Sequence, residues 1–507
     1  MSSEFETEAK GWADCSPRER LARLLLVRSE FGPDGLPSAS TIDIAHQGVG
    51  TFHGPPMLEH AEFHGPKRAL EFNLALRTAS IEQFGVPPLI GGNTECGVSY
   101  TIRTGGTDVP YPAALGLGDT SLSETAGRTV GSELLALGYG WAFQPVIDVR
   151  TETRDPVIGV RAFSDDPAVV AAHGVAFING LQSTGLLAVA KHFPGHGDAE
   201  VDSHLGLPVV ARTPEEHERI HLSPFRAAVD AGVQAIMTAH VVLPELGITE
   251  PATFSRHICT TVLRQQMGFN GLLVTDSLRM AAIADRYGYV EAYKAGLHAG
   301  SDVLNIRCWP EEVPALLDEL EAEFRGGSID EQRLGEAFER VLAAQRQVPE
   351  PTGELPSEHT RRLMDDRLVA LLKVDDPDAQ LPLALNGVLG VLVASPRGTD
   401  APPLTLLDAL SSITGQPARR VDVADSMDSL NAVLVVAYGQ AEITEEEWAL
   451  IEHARGLKIP AAVLVAGPRH VHAPTGLPTV ELPTIDVFGL ASMSGLVLAL
   501  HRLFDVS

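Results

Sequence analysis

A chain of 507 residues is too long for a single compact core, and 44% hydrophobic with 21% charged residues excludes a disordered polymer. The 66 acidic against 38 basic residues give a formal charge of -28, which argues against nucleic acid or an anionic membrane surface as a partner. Four scattered cysteines (Cys15, Cys96, Cys259 and Cys308) with no CxxC pair fit free thiols in a reducing compartment.

The N-terminus, Met1-Ser2-Ser3-Glu4-Phe5-Glu6, is acidic and lacks the basic and apolar regions of a signal peptide, so a cytoplasmic enzyme is expected. From there to about residue 345, short apolar runs alternate with segments of helical period. Strands are expected over residues 88–91, 142–146, 187–190, 235–238, 272–275 and 303–306. Amphipathic helices are expected over 123–137, 167–181, 214–231 and 286–299. Repeated βα units of this kind predict a (β/α)8-type, TIM-like barrel over residues 1–346, although only six of its strands can be assigned.

A Pro-rich break follows at residues 348–356, and a linker with a helix is expected over 347–382. A new α/β series then begins, with strands at 388–393, 432–436 and 461–465 and a helix at 445–455. It predicts a smaller C-terminal α/β sandwich domain over 383–507. The late apolar stretch 487–504 is broken by Gly489, Ser492, Ser494, Gly495, His501 and Arg502, and reads as a packed helix rather than a membrane span.

Polar clusters fall directly after the expected strands: Asn93-Thr94-Glu95, Lys191-His192, His240 and Asp276. That is the C-terminal rim, where barrels assemble active sites from several loops. The densest segment runs from Lys191-His192-Phe193-Pro194-Gly195-His196-Gly197-Asp198 to Asp202-Ser203-His204. So many ionisable groups at the end of a buried strand point to chemistry or binding. Asp276 is placed to attack an electron-poor carbon, or equally to cap the next helix. His204 beside Asp202 makes a proton donor competent near neutrality. The same loop also has metal-like spacings, His196-x-Asp198 and Asp202-x-His204, which leave a metal-dependent amidohydrolase open. Lys191 stands out because arginine is this chain's ordinary cation. A compact ammonium there suits a sugar hydroxyl or a neighbouring carboxylate.

These motifs resemble the β-N-acetylglucosaminidase branch of family 3 glycoside hydrolases. The resemblance is carried by the 191–197 segment with Asp202-Ser203-His204, and by Pro156-Val157-Ile158-Gly159-Val160-Arg161-Ala162-Phe163. It extends through Met237-Thr238-Ala239-His240-Val241, Pro251-Ala252-Thr253-Phe254-Ser255 and Gly268-Phe269-Asn270-Gly271 to Asp276. It implies a retaining, exo-acting β-N-acetylhexosaminidase that needs no metal and no cofactor. Asp276 would be the nucleophile and His204 the general acid/base, oriented by Asp202. Arg161, Lys191, His192, Asn93, Glu95 and Met280 would bind the sugar. The expected partner is a small carbohydrate with a β-linked amino sugar, such as a cell-wall or chitin fragment. Within the same family, a phosphorylase or a β-glycosidase for another sugar is an alternative; a non-catalytic sugar-binding protein is a further one. One departure stands out. Where relatives carry Asp-Gln-Glu-Gly-Gly-Arg, this chain reads Asn93-Thr94-Glu95-Cys96-Gly97-Val98, so an amide replaces an acceptor-only carboxylate and Val98 replaces an arginine. Altered preference at the far ring positions is the expected result.

Overall fold

The structure, a computed structural model, describes residues 9–57, 60–103, 105–107, 109–151, 157–198 and 206–355, and six strands beyond them. In the first stretch lie β1 (Leu25–Val27), β2 (Thr51–His53), β3 (Leu89–Gly92) and β4 (Trp141–Ala142). They are followed by β5 (Leu187–Phe193), β6 (Ala235–Thr238), β7 (Leu272–Val274) and β8 (Leu304–Asn305). All neighbours pair in parallel, in the order β7-β6-β5-β4-β3-β2-β1-β8. The two ends of this sheet meet. Val274 bridges to Val303, and the Thr275 N–H donates to the Val303 carbonyl at 3.0 Å. With helices between the strands, this is the (β/α)8 barrel that the repeated units predict.

Alternation along the strands fills its interior. Leu187 and Val189, Ala235 and Met237, and Leu272 and Val274 join Leu26, Leu89, Trp141 and Phe143 in one buried cluster. Each large apolar side chain withdrawn from water in this way stabilises the fold by roughly 1.5–3 kcal/mol. The helices start where their sequences dictate. Asp119 accepts from the Ser121 N–H ahead of the helix Thr120–Ala136, and Asp166 accepts from the Ala168 N–H ahead of Pro167–Gln182. Two departures from expectation stand out. β1 and β2 join the six expected strands, and the helix expected over 214–231 is divided. Its pieces are Pro214–His217, a wide π-type turn Glu218–Leu222, and Ser223–Asp230.

The chain divides into two compact units. The first takes in Met1–Thr107, Asp119–Ile158 and Ala162–Glu358, and so runs past the boundary expected at residue 346. The second takes in Asp108–Gly118, Gly159–Arg161 and His359–Ser507. Its sheet contains β9 (Lys373–Asp375), β10 (Leu389–Ala394), β11 (Ala418–Arg420), β12 (Ala432–Tyr438), β13 (Ala461–Ala466) and β14 (Thr479–Leu482). The order is β11-β10-β12-β13-β14-β9, parallel except for β9, which pairs antiparallel with β14. β9 thus lies within the stretch read as linker. The helices expected just before residue 373 and at 445–455 lie outside the described residues.

Candidate active site

Asp276 follows β7 and is part-buried. It does not cap the next helix, which begins only at Ala281 with Met280 as its capping position. Its Oδ1 accepts instead from the Ser277 N–H at 2.6 Å. Burial by itself would raise the pKa of this carboxyl. The nearby charges of His192, His240 and Lys191, together with the Ser277 N–H, outweigh burial and bring it down to about 2. Asp276 is therefore an anion throughout the physiological range, with imidazoles and an ammonium arranged around it.

Those neighbours come from two strand ends, β5 and β6. His192, near the end of β5, places Nδ1 2.7 Å from Asp148 Oδ2, and its backbone N–H donates to the same oxygen at 3.1 Å. The other oxygen of Asp148 accepts from the His196 N–H at 2.7 Å. Burial works to raise the Asp148 pKa, but His192, His196 and these hydrogen bonds hold it below the ordinary carboxylate value. Asp148 is fully enclosed and acts on the site only through the imidazole it orients. Sequence reasoning missed it. The available signal was a carboxylate inside the apolar run Val146-Ile147-Asp148-Val149, which is costly unless paired.

Lys191, also on β5, is 3% exposed and places Nζ 2.7 Å from Glu95 Oε1. It also donates to Asn93 Oδ1 at 3.2 Å. Glu95 therefore provides the carboxylate that Asn93 lacks. His240 follows β6 and is buried, with Nε2 3.0 Å from the Ser277 carbonyl and Nδ1 2.9 Å from Thr253 Oγ1. It links the β6 loop to the backbone beside Asp276. Two glycines let the 193–198 turn close over this layer. A Cβ at Gly195 would meet His221 at 2.6 Å, and one at Gly197 would meet the Val149 carbonyl at 2.1 Å.

Of the sequence-derived residues, the structure thus gathers Asp276, Lys191, His192, Asn93 and Glu95 on the rim. Met280 is buried just beyond Asp276. Arg161 is half-buried at the end of the turn Gly159–Arg161, which groups with the second unit. Asp202 and His204 lie outside the described residues. Asp198, in one of the two metal-like spacings, is occupied otherwise: Arg212 grips it at 2.6 and 2.7 Å, and Thr151 Oγ1 donates to it at 2.7 Å.

A parallel barrel with its polar groups on the C-terminal rim, centred on an ionised carboxylate flanked by a lysine ammonium and two imidazoles, has the architecture of a barrel hydrolase. The Glycosyl hydrolase family 3 N terminal domain matches residues 18–344. The chain belongs to glycoside hydrolase family 3. A β-hexosaminidase from Thiobacillus denitrificans is 39% identical over 245 residues, which cover 47% of this chain and 68% of that protein. A β-N-acetylglucosaminidase/β-glucosidase from Cellulomonas fimi is 34% identical over 268 residues, covering 51% of this chain and 47% of the relative. The match thus takes in less than half the length of the Cellulomonas protein. The solved family 3 β-N-acetylglucosaminidase from Paenibacillus sp. str. FPU-7 superposes with a TM-score of 0.80 at 27% identity, covering 97% of this chain and 98% of that one.

Proposed function

We propose that this glycoside hydrolase is a retaining, exo-acting β-N-acetylhexosaminidase. The observation that carries the reading is Asp276: a part-buried carboxylate kept ionised on the barrel rim beside Lys191 and His192. The likeness to the Thiobacillus β-hexosaminidase and the Paenibacillus β-N-acetylglucosaminidase supports the sugar class. In the first step, an Asp276 oxygen attacks the anomeric carbon while the leaving-group oxygen takes a proton from the His204 imidazolium, whose charge Asp202 supports. The product is a glycosyl-aspartate ester. In the second step, His204 takes a proton from water, the water oxygen displaces Asp276, and the sugar leaves with its configuration retained. Lys191, His192, Glu95 and Asn93 hold sugar hydroxyls, with Met280 completing the set. The four buried cysteines, Cys15, Cys96, Cys259 and Cys308, form no disulfide, which fits a reducing, cytoplasmic setting.

The test separates the two chemical roles. An activated 2-deoxy-2-fluoro-glycoside is expected to label Asp276, read by peptide mass; labelling of Glu95 would move the nucleophile there. His204→Ala is expected to cripple substrates with poor leaving groups far more than activated aryl glycosides. Equal losses on both would remove His204 as the acid.

A further inference from the structure

The turn that closes over the reactive layer is held from two sides. On one side lies the backbone that follows β4. The His196 N–H donates to Asp148 Oδ1 at 2.7 Å, the Thr151 N–H donates to the Gly197 carbonyl at 3.1 Å, and Thr151 Oγ1 donates to Asp198 at 2.7 Å. On the other side stand His217 and His221, both fully enclosed, with ring centroids 5.2 Å apart. Their i,i+4 spacing sets them on one face of the divided helix. His217 ends its first piece, and His221 lies in the π-type turn Glu218–Leu222, a feature frequent at functional sites. A Cβ at Gly195 would meet His221 Cβ at 2.6 Å and Nδ1 at 3.1 Å, so the backbone of the turn rests directly against this side chain.

Packing alone does not explain two histidines here. No ring nitrogen of either makes a hydrogen bond among the described residues, and burying such groups unpaired costs stability. The Pro194 carbonyl acts on His217 without completing one. Asp198 also faces His217, while Asp198, Asp148 and Arg212 face His221. Burial, helped by His221, pushes His217 down to about 3, and burial holds His221 below its ordinary value, so both imidazoles are neutral near neutral pH. Arg212 already grips Asp198, and a second cation is not called for. A neutral imidazole fills the space and offers the two carboxylates a dipole, which an aliphatic side chain would not.

From the turn to the reacting groups is a short path. The Gly195 N–H donates to the His192 carbonyl at 2.8 Å. The His196 N–H fixes one oxygen of Asp148, and the other oxygen orients the His192 imidazole beside Asp276. A turn free to sink toward the helix would loosen both. We infer that His217 and His221 are positioning residues: they hold the 194–198 turn against Asp148 and so fix the His192 imidazole beside the Asp276 carboxylate. The inference rests on the glycosidase reading of Asp276.

The test is kcat/KM for nitrophenyl β-N-acetylglucosaminide per active site, with sites counted by the fluoro-glycoside label on Asp276, so that loss of folded protein does not enter. His221→Ala is expected to lower it by about tenfold or more, and His217→Ala by about threefold, since small misplacements at a reacting centre are costly. A double-mutant cycle separates positioning from packing. In a His192→Gln background, either alanine variant is expected to cost less than about twofold, because its effect passes through that imidazole. Unchanged per-site turnover in whichever alanine variants fold, or losses that multiply with that of His192→Gln, overturns the inference. If wild type turns over no glycoside, the glycosidase reading has failed instead. Hydrogen exchange then decides: amides of residues 194–198 that exchange about tenfold faster than in wild type, with 235–238 unaltered, uphold the positioning, and unchanged exchange sinks it.

Discussion

Two aspartates that border β7 have the same charge and opposite fates. Asp302, which precedes β8, is fully enclosed, and every approach to it is taken. Arg264 reaches it at 2.5 Å, Arg333 at 2.7 Å and Arg340 at 3.0 Å, and the Leu273 N–H donates to it at 3.0 Å. Asp276, which follows β7, has an N–H on one oxygen, partial exposure, and charged neighbours that stabilise it without covering it. Both carboxyls are held below their ordinary pKa against the opposing effect of burial. A depressed pKa therefore does not distinguish a structural carboxylate from a reactive one. What does is whether its lone pairs are already filled. Cavity size is no better a guide, since a cavity of about 710 Å3 adjoins the arginines around Asp302.

The contrast is sharpest in the pair of alanine variants. Asp276→Ala is expected to cost about three to five orders of magnitude in kcat while the melting temperature stays near wild type, as for loss of a covalent nucleophile. Near-normal turnover in the folded variant would break the comparison from that side. Asp302→Ala is expected to do the reverse. It leaves three guanidinium groups facing a void, at a cost of about 3–5 kcal/mol in stability, measurable by denaturant unfolding. A loss in kcat at unchanged stability would mean that Asp302 serves the reaction.

The smallest effect is a pH dependence of stability. Burial, with Arg307 adding to it at His53 and His221 adding to it at His217, pushes both imidazoles down to about 3. The folded protein keeps them neutral while the unfolded chain binds protons below about 6.5. Stability is thus full above that pH and falls as pH drops from 6.5 toward 3. Asp276 adds its own loss only below the ordinary carboxylate value, as pH falls toward 2. Melting temperatures from pH 7.5 to 4.5 are expected to decline smoothly, and His217→Gln to flatten the slope. A flat wild-type profile would show that these histidines are not neutral in the fold.

The sequence made the barrel and most of its reactive rim legible, because both leave local marks. Residues 235–238 alternate into a strand whose bounds match β6, and an ionisable loop after a buried run marks a rim. β1 and β2 left no such mark. Leu24-Leu25-Leu26-Val27 continues directly from the helix Pro17–Arg23, and Thr51-Phe52-His53 is three residues between glycines. Asp148 and the contact of His221 with Gly195 are further from reach. That contact forms only because the helix after β5 packs back on that strand. No spacing rule connects the two residues. The capping reading of Asp276 is excluded by where the next helix begins, which local composition does not fix.

The seam between β1 and β8 also has a consequence for how the chain is made. Leu25 pairs with Leu304 and Leu26 with Asn305, so the first strand waits for the last before the sheet can close. At about 5–20 residues per second, a ribosome takes on the order of tens of seconds to deliver that partner. Throughout that interval the nascent sheet carries two open edges, each a template for pairing with another chain. A newly made copy is therefore most exposed to aggregation, and most in need of a chaperone, just before residue 305 emerges.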